Sequence, residues 1–192
     1  MRLVELAHSK IRKILKSGDL AIDATAGNGH DTLFLAKQVG KSGQIYTFDI
    51  QPTAIHSTVQ RLKKAGLDAI VKTFLDSHTQ IQKYIDQEAT GNVSVAMFNL
   101  GYLPGGDHQV TTALTSTVAA ILQCYEMIRP GGLISVIGYR GHCGGKEETK
   151  AVLDLCLQNN WSVEKFPGND RENSPILLVI KKDQNGETGS IS

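Results

Sequence analysis

Apolar and polar residues along this chain change period in a regular order. Short runs rich in β-branched and aromatic residues, "LAIDAT", "QIYTFDI", "AIVKTFL", "VSVAMFNL", "LISVIGY", "WSVEKF" and "ILLVIKK", recur between residues 20 and 182. Between them lie stretches whose apolar positions repeat every three or four residues, near 3–17, 31–39, 52–66, 77–89, 111–128 and 145–159. The first pattern is that of strands and the second that of amphipathic helices. Their alternation predicts a mostly parallel sheet with helices on both faces. The last two strands are joined only by "PGNDRENSP", too short for a parallel crossover, so the final strand is expected to run antiparallel. The expected architecture is α/β, with seven strands in one domain over residues 1–182. The polar tail at 183–192, "DQNGETGSIS", reads as disordered.

Composition narrows the classes. The 192 residues suffice for a sizeable core, and no apolar stretch is long enough to span a bilayer. The opening "MRLVELAHSKIRKILKSGD" interleaves charge with apolar residues and is not a signal peptide. Cys124, Cys143 and Cys156 are widely spaced with no C-x-x-C, so neither a disulfide framework nor a zinc site is indicated, and a reducing cytoplasm fits best. His8, His30, His56 and His78 show no i, i+4 pairing with carboxylates, and no metal is expected. A formal net charge of +1 weakens any claim of broad nucleic-acid binding. Two basic groups stand out nonetheless, Arg2, Lys10, Arg12, Lys13 and Lys16, then Arg61, Lys63 and Lys64. Each reads either as a solvated helix face or as a phosphate-facing patch.

The candidate chemistry begins at "DATAGNGHDT", residues 23–32, between a strand and a helix. A dinucleotide fingerprint would need a third small residue where Thr32 stands, and a phosphate loop would need a Lys-Ser or Lys-Thr pair after its glycines. What remains is an acid at a strand end, Asp23, then Ala24, Thr25 and Ala26, then the turn Gly27-Asn28-Gly29, then Asp31. Carboxylates suit an amino-bearing, cationic ligand, and glycines let it approach the backbone. Asp49 ends the second strand, ahead of Ile50 and Gln51, where an acid can accept both ribose hydroxyls. Asp76 follows the third strand, with Ser77 and His78 beside it, placed to receive an adenine amino group. Acids at three successive strand ends fit S-adenosylmethionine, with its ammonium, ribose and adenine. Taken singly, each is also an ordinary turn former.

The acceptor half is expected after the fourth and fifth strands. Asn99, Leu100, Gly101 and Tyr102 stand where many amine-modifying methyltransferases carry N-P-P-Y or D-P-P-Y, and Asn99 could orient an acceptor nitrogen. The missing prolines make a planar base amine a poorer fit. A protonated aliphatic amine must lose a proton first, and Asp107, then His108, are the candidate bases. The same pair could instead cap the helix that follows. In "GYRGHCGGKEE", Tyr139, Gly141 and His142 could face a base, and Arg140 a phosphate. Arg171 and Asn173 could reach the same rim.

"AIDATAGNGHDTLFLA", "NLGYLPGGDH", "YRGHCGGKEE" and "NSPILLVIKK" together resemble the YtqB-like proteins, a family long labelled rRNA methylases, from about Leu3 to Lys182. The resemblance implies a Rossmann-like class I S-adenosylmethionine-dependent methyltransferase without an added RNA-binding domain. It also implies N-methylation of 5-aminomethyl-(2-thio)uridine at wobble position 34, with a tRNA anticodon arm as substrate. Carried over residue by residue, the loop 23–32, Asp49, the turn 76–78 and Asn99 would bind the cofactor. Asp107, His108, Tyr139 and His142 would surround the amine. Cys143 stands where the family's loop is expected to have proline. A dimer would extend the surface available to RNA. Two alternatives remain: a methyltransferase acting on ribosomal RNA or a small molecule, and a non-catalytic nucleotide- or RNA-binding module.

Overall fold

The computed structural model describes residues 2–85, 89–101, 112–141, 144–171 and 173–184. Its seven strands are β1 (Leu20–Asp23), β2 (Gln44–Asp49), β3 (Val71–Leu75), β4 (Val93–Leu100), β5 (Ile128–Gly138), β6 (Ser162–Pro167) and β7 (Ile176–Lys181). They form one sheet in the order β3-β2-β1-β4-β5-β7-β6. The first five pair in parallel. As the short 167–175 connection requires, β7 runs antiparallel to both neighbours, slotted between β5 and β6.

The helices are α1 (Leu3–Ile14), α2 (His30–Val39), α3 (Pro52–Ala65), the single turn α4 (Ile81–Tyr84), α5 (Leu114–Met127) and α6 (Gly145–Gln158). Each face of the sheet has its own core. Ala7, Ile11, Leu35 and Leu62, from α1, α2 and α3, pack with Val95 and Met97 on one face. Ile81, Ile121, Val152 and Leu155, from α4, α5 and α6, pack with Ala96 and Phe98 on the other. β4 therefore alternates between two buried faces, which is why its centre, Val95–Phe98, reads as an unbroken apolar run.

One expected element differs. The helix anticipated over 77–89 is broken, with a 3-10 turn at His78–Gln80 followed by α4, which ends at Tyr84. Ile85 leaves helical geometry for an extended backbone and buries its side chain in the core. Residues 86–88 and the tail from 185 onward lie outside the described residues.

Candidate active site

Strand order reverses between β1 and β4, so the chain leaves these two neighbouring strands toward opposite faces and opens a crevice at their carboxyl ends. A cleft of about 1170 Å³ lies there. That exceeds the roughly 300–1,000 Å³ of a typical small-molecule pocket and leaves room for a second molecule.

One half of the cleft is built from the ends of β1, β2 and β3. Asp49 accepts the Gly27 N–H on Oδ2 and the Gln51 N–H on Oδ1, both at 2.9 Å. The turn is held from outside by α3: Thr58 donates to the Gly27 carbonyl at 3.2 Å and Arg61 Nε to the Asn28 carbonyl at 2.8 Å. Asp76 accepts the Ser77 N–H at 2.8 Å and the Tyr84 hydroxyl at 2.7 Å. Those bonds, the Tyr84 hydroxyl first, hold its carboxyl below the usual range, so it stays an ionised acceptor. His78 is buried beside it, and burial lowers its pKa, favouring the neutral ring. Its Nε2 has no hydrogen-bond partner. Ile50 lines the cleft with an unusually exposed apolar side chain, 53 % accessible.

The other half is built from the ends of β4 and β5 and from α1. Asn99 is fixed by its N–H on the Thr25 hydroxyl and by Nδ2 on Asp31 Oδ2, both at 2.8 Å. Asp31 Oδ1 meets His8 Nε2 at 2.7 Å. Because a carboxylate only accepts, the Asn99 amide must turn its NH2 toward Asp31, leaving its carbonyl oxygen without a partner among the described residues. Tyr139 joins β4 through its N–H on the Leu100 carbonyl at 3.1 Å. Burial, then the Asp31 charge, raise its phenol above the ordinary value. Thr112 donates its N–H to the Gly101 carbonyl at 3.1 Å. Its hydroxyl and that of Thr117 both donate to the buried Glu148, at 2.9 and 2.5 Å.

The sequence-derived candidates divide accordingly. Ala24, Thr25, Ala26, Gly27, Asn28 and Asp31 line the cleft, as do Asp49, Ile50, Gln51, Asp76, Ser77 and His78. So do Asn99, Gly101, Tyr139, Gly141 and Asn173. Asp23, Gly29, Thr32 and Leu100 stand behind the wall. Asp23 is fully buried and accepts from the Thr25 N–H at 3.2 Å and the Thr32 hydroxyl at 2.6 Å, so it braces the loop. Burial, then Asp31, push its carboxyl up to about 7. Gly29 does not make room for a ligand: a Cβ there would lie 2.7 Å from the Thr58 backbone, so the glycine lets the turn approach α3. Its φ of +75° also favours glycine. Arg140 turns away from a phosphate role among the described contacts, donating to the Ser174 carbonyl at 2.7 Å. Arg61, read as part of a basic patch, holds the cofactor-side turn instead. Tyr102, Asp107, His108, His142 and Cys143 lie outside the described residues. Sequence reasoning missed the cleft-lining Arg2, Val4, Glu5 and His8 of the first helical segment and Thr112 and Ser116 near α5. The interrupted charge pattern of α1 was the available signal.

Among the described residues no group of three or more His, Cys, Asp or Glu could hold a metal ion. No described helix is long and apolar enough to cross a membrane. The donor set suits S-adenosylmethionine: acceptors for ribose and an amino group at Asp49 and Asp76, an unpartnered imidazole nitrogen, and an uncovered aliphatic face at Ile50 for a flat ring.

Fold and cleft together define a class I S-adenosylmethionine-dependent methyltransferase. A family model described as "Putative rRNA methylase" matches residues 45–182, and the chain belongs to that family. A tRNA (mnm(5)s(2)U34)-methyltransferase, chloroplastic, from Arabidopsis thaliana is 35% identical over 195 residues, covering 96% of this chain and 70% of the relative. The crystal structure of a protein described as "putative rRNA-methylase" from Clostridium thermocellum superposes with a TM-score of 0.88 at 38% identity, covering 95% of this chain and 98% of that one. A methyltransferase from Streptococcus mutans, solved in complex with SAH, gives 0.81 at 33% identity over the same shares.

Proposed function

We propose that this enzyme N-methylates the aminomethyl group of 5-aminomethyl-(2-thio)uridine at the wobble position of tRNA, giving the methylaminomethyl form. The observation that carries the amine reading is the orientation of Asn99. With one N–H of its amide held on Asp31, the orientation of the side chain is fixed and its carbonyl oxygen is placed to accept, which suits an acceptor that donates N–H. The particular nucleoside comes from the Arabidopsis relative, whose name carries this reaction and whose similarity runs through nearly the whole chain.

In this reading Asp49 accepts the cofactor's ribose hydroxyls, and the turn 76–78 with Ile50 receives the adenine. The loop 24–28 lies along the cofactor's amino-acid end. S-adenosylmethionine supplies an electrophilic methyl group there. Asn99 orients the acceptor nitrogen, while Tyr139, Gly141 and Asn173 form the rim against which the nucleoside lies. Tyr102, Arg140, Asp107, His108 and His142 remain candidates for substrate contact and proton removal by their sequence context. Residues 1–182 act as one methyltransferase domain. The two described cysteines, Cys124 and Cys156, are free and buried, in keeping with a cytoplasmic enzyme. A homodimer would enlarge the RNA-facing surface, and sedimentation equilibrium tests it.

The test is nucleoside mass spectrometry of bulk tRNA lacking this modification, incubated with the purified protein and labelled S-adenosylmethionine. Label in the methylaminomethyl nucleoside is the expected result. Label in ribosomal RNA instead, with none in tRNA, overturns the substrate assignment.

A further inference from the structure

By sequence, Asp31 belongs to the cofactor loop, and its contacts lead elsewhere. Its carboxylate lies on the cleft wall and is bridged by two side chains, His8 from α1 and Asn99 from β4. Among the described residues, each oxygen uses one lone pair in these bonds and keeps another. Both partners stand on the acceptor side, and the Asp31 charge is felt by Tyr139 at the end of β5. The carboxylates on the nucleoside side, Asp49 and Asp76, accept backbone N–H groups, and Asp76 also the hydroxyl of nearby Tyr84. Asp31 is set by side chains from two distant elements, as a group whose exact orientation matters is set.

The His8 ring is itself immobilised. It stacks on Phe34 with centroids 3.7 Å apart and planes 8° from parallel. The Arg12 guanidinium lies on the same Phe34 ring, 5.1 Å from its centroid. A surface helix docked only by apolar packing would not require this alignment of Arg12, Phe34, His8 and Asp31.

We propose that Asp31 takes the proton of the acceptor amine, and that His8 is the positioning residue that holds it. The proposal rests on the amine reading above. The acceptor enters as an ammonium, whose nitrogen has no lone pair to offer. One N–H bond breaks, its proton passing to a free lone pair of Asp31 and its electron pair staying on nitrogen. That pair forms the bond to the methyl carbon as the carbon–sulfur bond breaks, with its electrons retained on sulfur. The product is a secondary ammonium, and Asp31 returns its proton to water through the open cleft. The charged or titratable groups facing Asp31 are His8 from α1, Asp23 at the end of β1 and Tyr139 at the end of β5. Asp49, Glu5 and Arg2 stand further along the same cleft.

The test compares Asp31→Asn, His8→Ala and His8→Gln with wild type. It uses calorimetric binding of S-adenosylhomocysteine, thermal melting, and single-turnover methylation of an anticodon stem-loop across pH. Asp31→Asn should keep S-adenosylhomocysteine affinity within about threefold and lose about 100-fold in rate at neutral pH, a usual size for a lost general base. The deficit should shrink as pH rises, because the amine then arrives already deprotonated. His8→Ala should slow the chemical step about tenfold with acceptor affinity little changed. His8→Gln, which can still donate to Asp31, should recover most of that loss. Parallel loss of S-adenosylhomocysteine binding in Asp31→Asn would make Asp31 a cofactor ligand and overturn the proposal. So would a deficit that is flat with pH, or a His8→Gln enzyme no better than His8→Ala. A wild-type protein that binds S-adenosylhomocysteine yet methylates no RNA amine fails at the function itself, and takes the proposal with it.

Discussion

In the nucleoside half of the cleft, the strand-end aspartates Asp23, Asp49 and Asp76 each hold a backbone N–H one or two positions further on, whereas the side chains of the acceptor half are bridged to residues that the chain places far apart. Asp23 holds Thr25, Asp49 holds Gln51, and Asp76 holds Ser77. Across the cleft, His8 meets Asp31 over 23 positions, Asn99 meets Asp31 over 68, and Thr112 meets Glu148 over 36. Short-range bonds between an aspartate and the following N–H are turn chemistry that forms with the strand end itself. Side-chain bridges between helices and strands exist only after the layers have packed. The first half can therefore present the same carboxylates to an invariant cofactor. The second half can be changed by substitutions in α1, α5 or the 168–175 connection to suit a different acceptor.

The largest expected effect separates the two halves. Asp49→Ala leaves the Gly27 and Gln51 N–H groups without their acceptor and removes the carboxylate proposed to hold the ribose. Calorimetry should show S-adenosylhomocysteine binding weakened by about 100-fold or more, since unpaired polar groups and a lost charged bond compound. Binding of an anticodon stem-loop should change little. Comparable loss of both would mean that the halves are not separate.

Next is Gly29→Ala, where the added carbon collides with the Thr58 backbone and φ is positive. Chemical denaturation should show about 2 kcal/mol or more of destabilisation. A neutral result would mean that the turn is not pinned to α3.

Asp23→Asn tests the buried brace through pH. In the folded protein Asp23 is raised from 3.8 to about 7, so between these values the unfolded chain is ionised while the folded one holds its proton. The folded state therefore binds more protons, and Asp23 makes stability fall as pH rises through that window. Asparagine removes this slope. Relative to wild type, the variant should gain on the order of 3 kcal/mol in going from pH 4 to pH 7. A parallel pair of stability–pH curves would contradict the shift.

The smallest effect belongs to Arg140→Ala. If its guanidinium serves the Ser174 carbonyl, the loss is on the order of 1 kcal/mol of stability. Tight binding of RNA that collapses in this variant would restore Arg140 to a phosphate role.

What could be read from the sequence follows the same division. The seven strands and the reversed last one were legible because β-periodicity and a nine-residue connection are local features. Asp49 and Asp76 were legible because each stands at the carboxyl end of a strand. Asp23 and Gly29 were correctly located but misjudged in role: a strand-end acid and a turn glycine look alike whether they face the ligand or the neighbouring helix. The 77–89 helix was overextended because Ile81, Ile85 and Ala89 keep helical spacing while Ile85 leaves the helix to reach the core. His8 was dismissed as a metal ligand, and its partner 23 positions away is invisible to any i, i+4 search. Arg61 was read as part of a solvated face or a phosphate patch and Arg140 as facing a phosphate, both from charge alone, whereas both hold backbone carbonyls of neighbouring turns.

The division of the cleft is tested most directly by amide NMR in two additions, S-adenosylhomocysteine first and an anticodon stem-loop second. The account predicts that the first addition shifts Gly27, Gln51, Ser77 and their neighbours while leaving Gly141 and Asn173 nearly still. The second should then move Tyr139, Gly141, Asn173 and the His8 turn of α1. S-adenosylhomocysteine that perturbs the β5 loop and α1 but not Gly27 and Gln51 would contradict it.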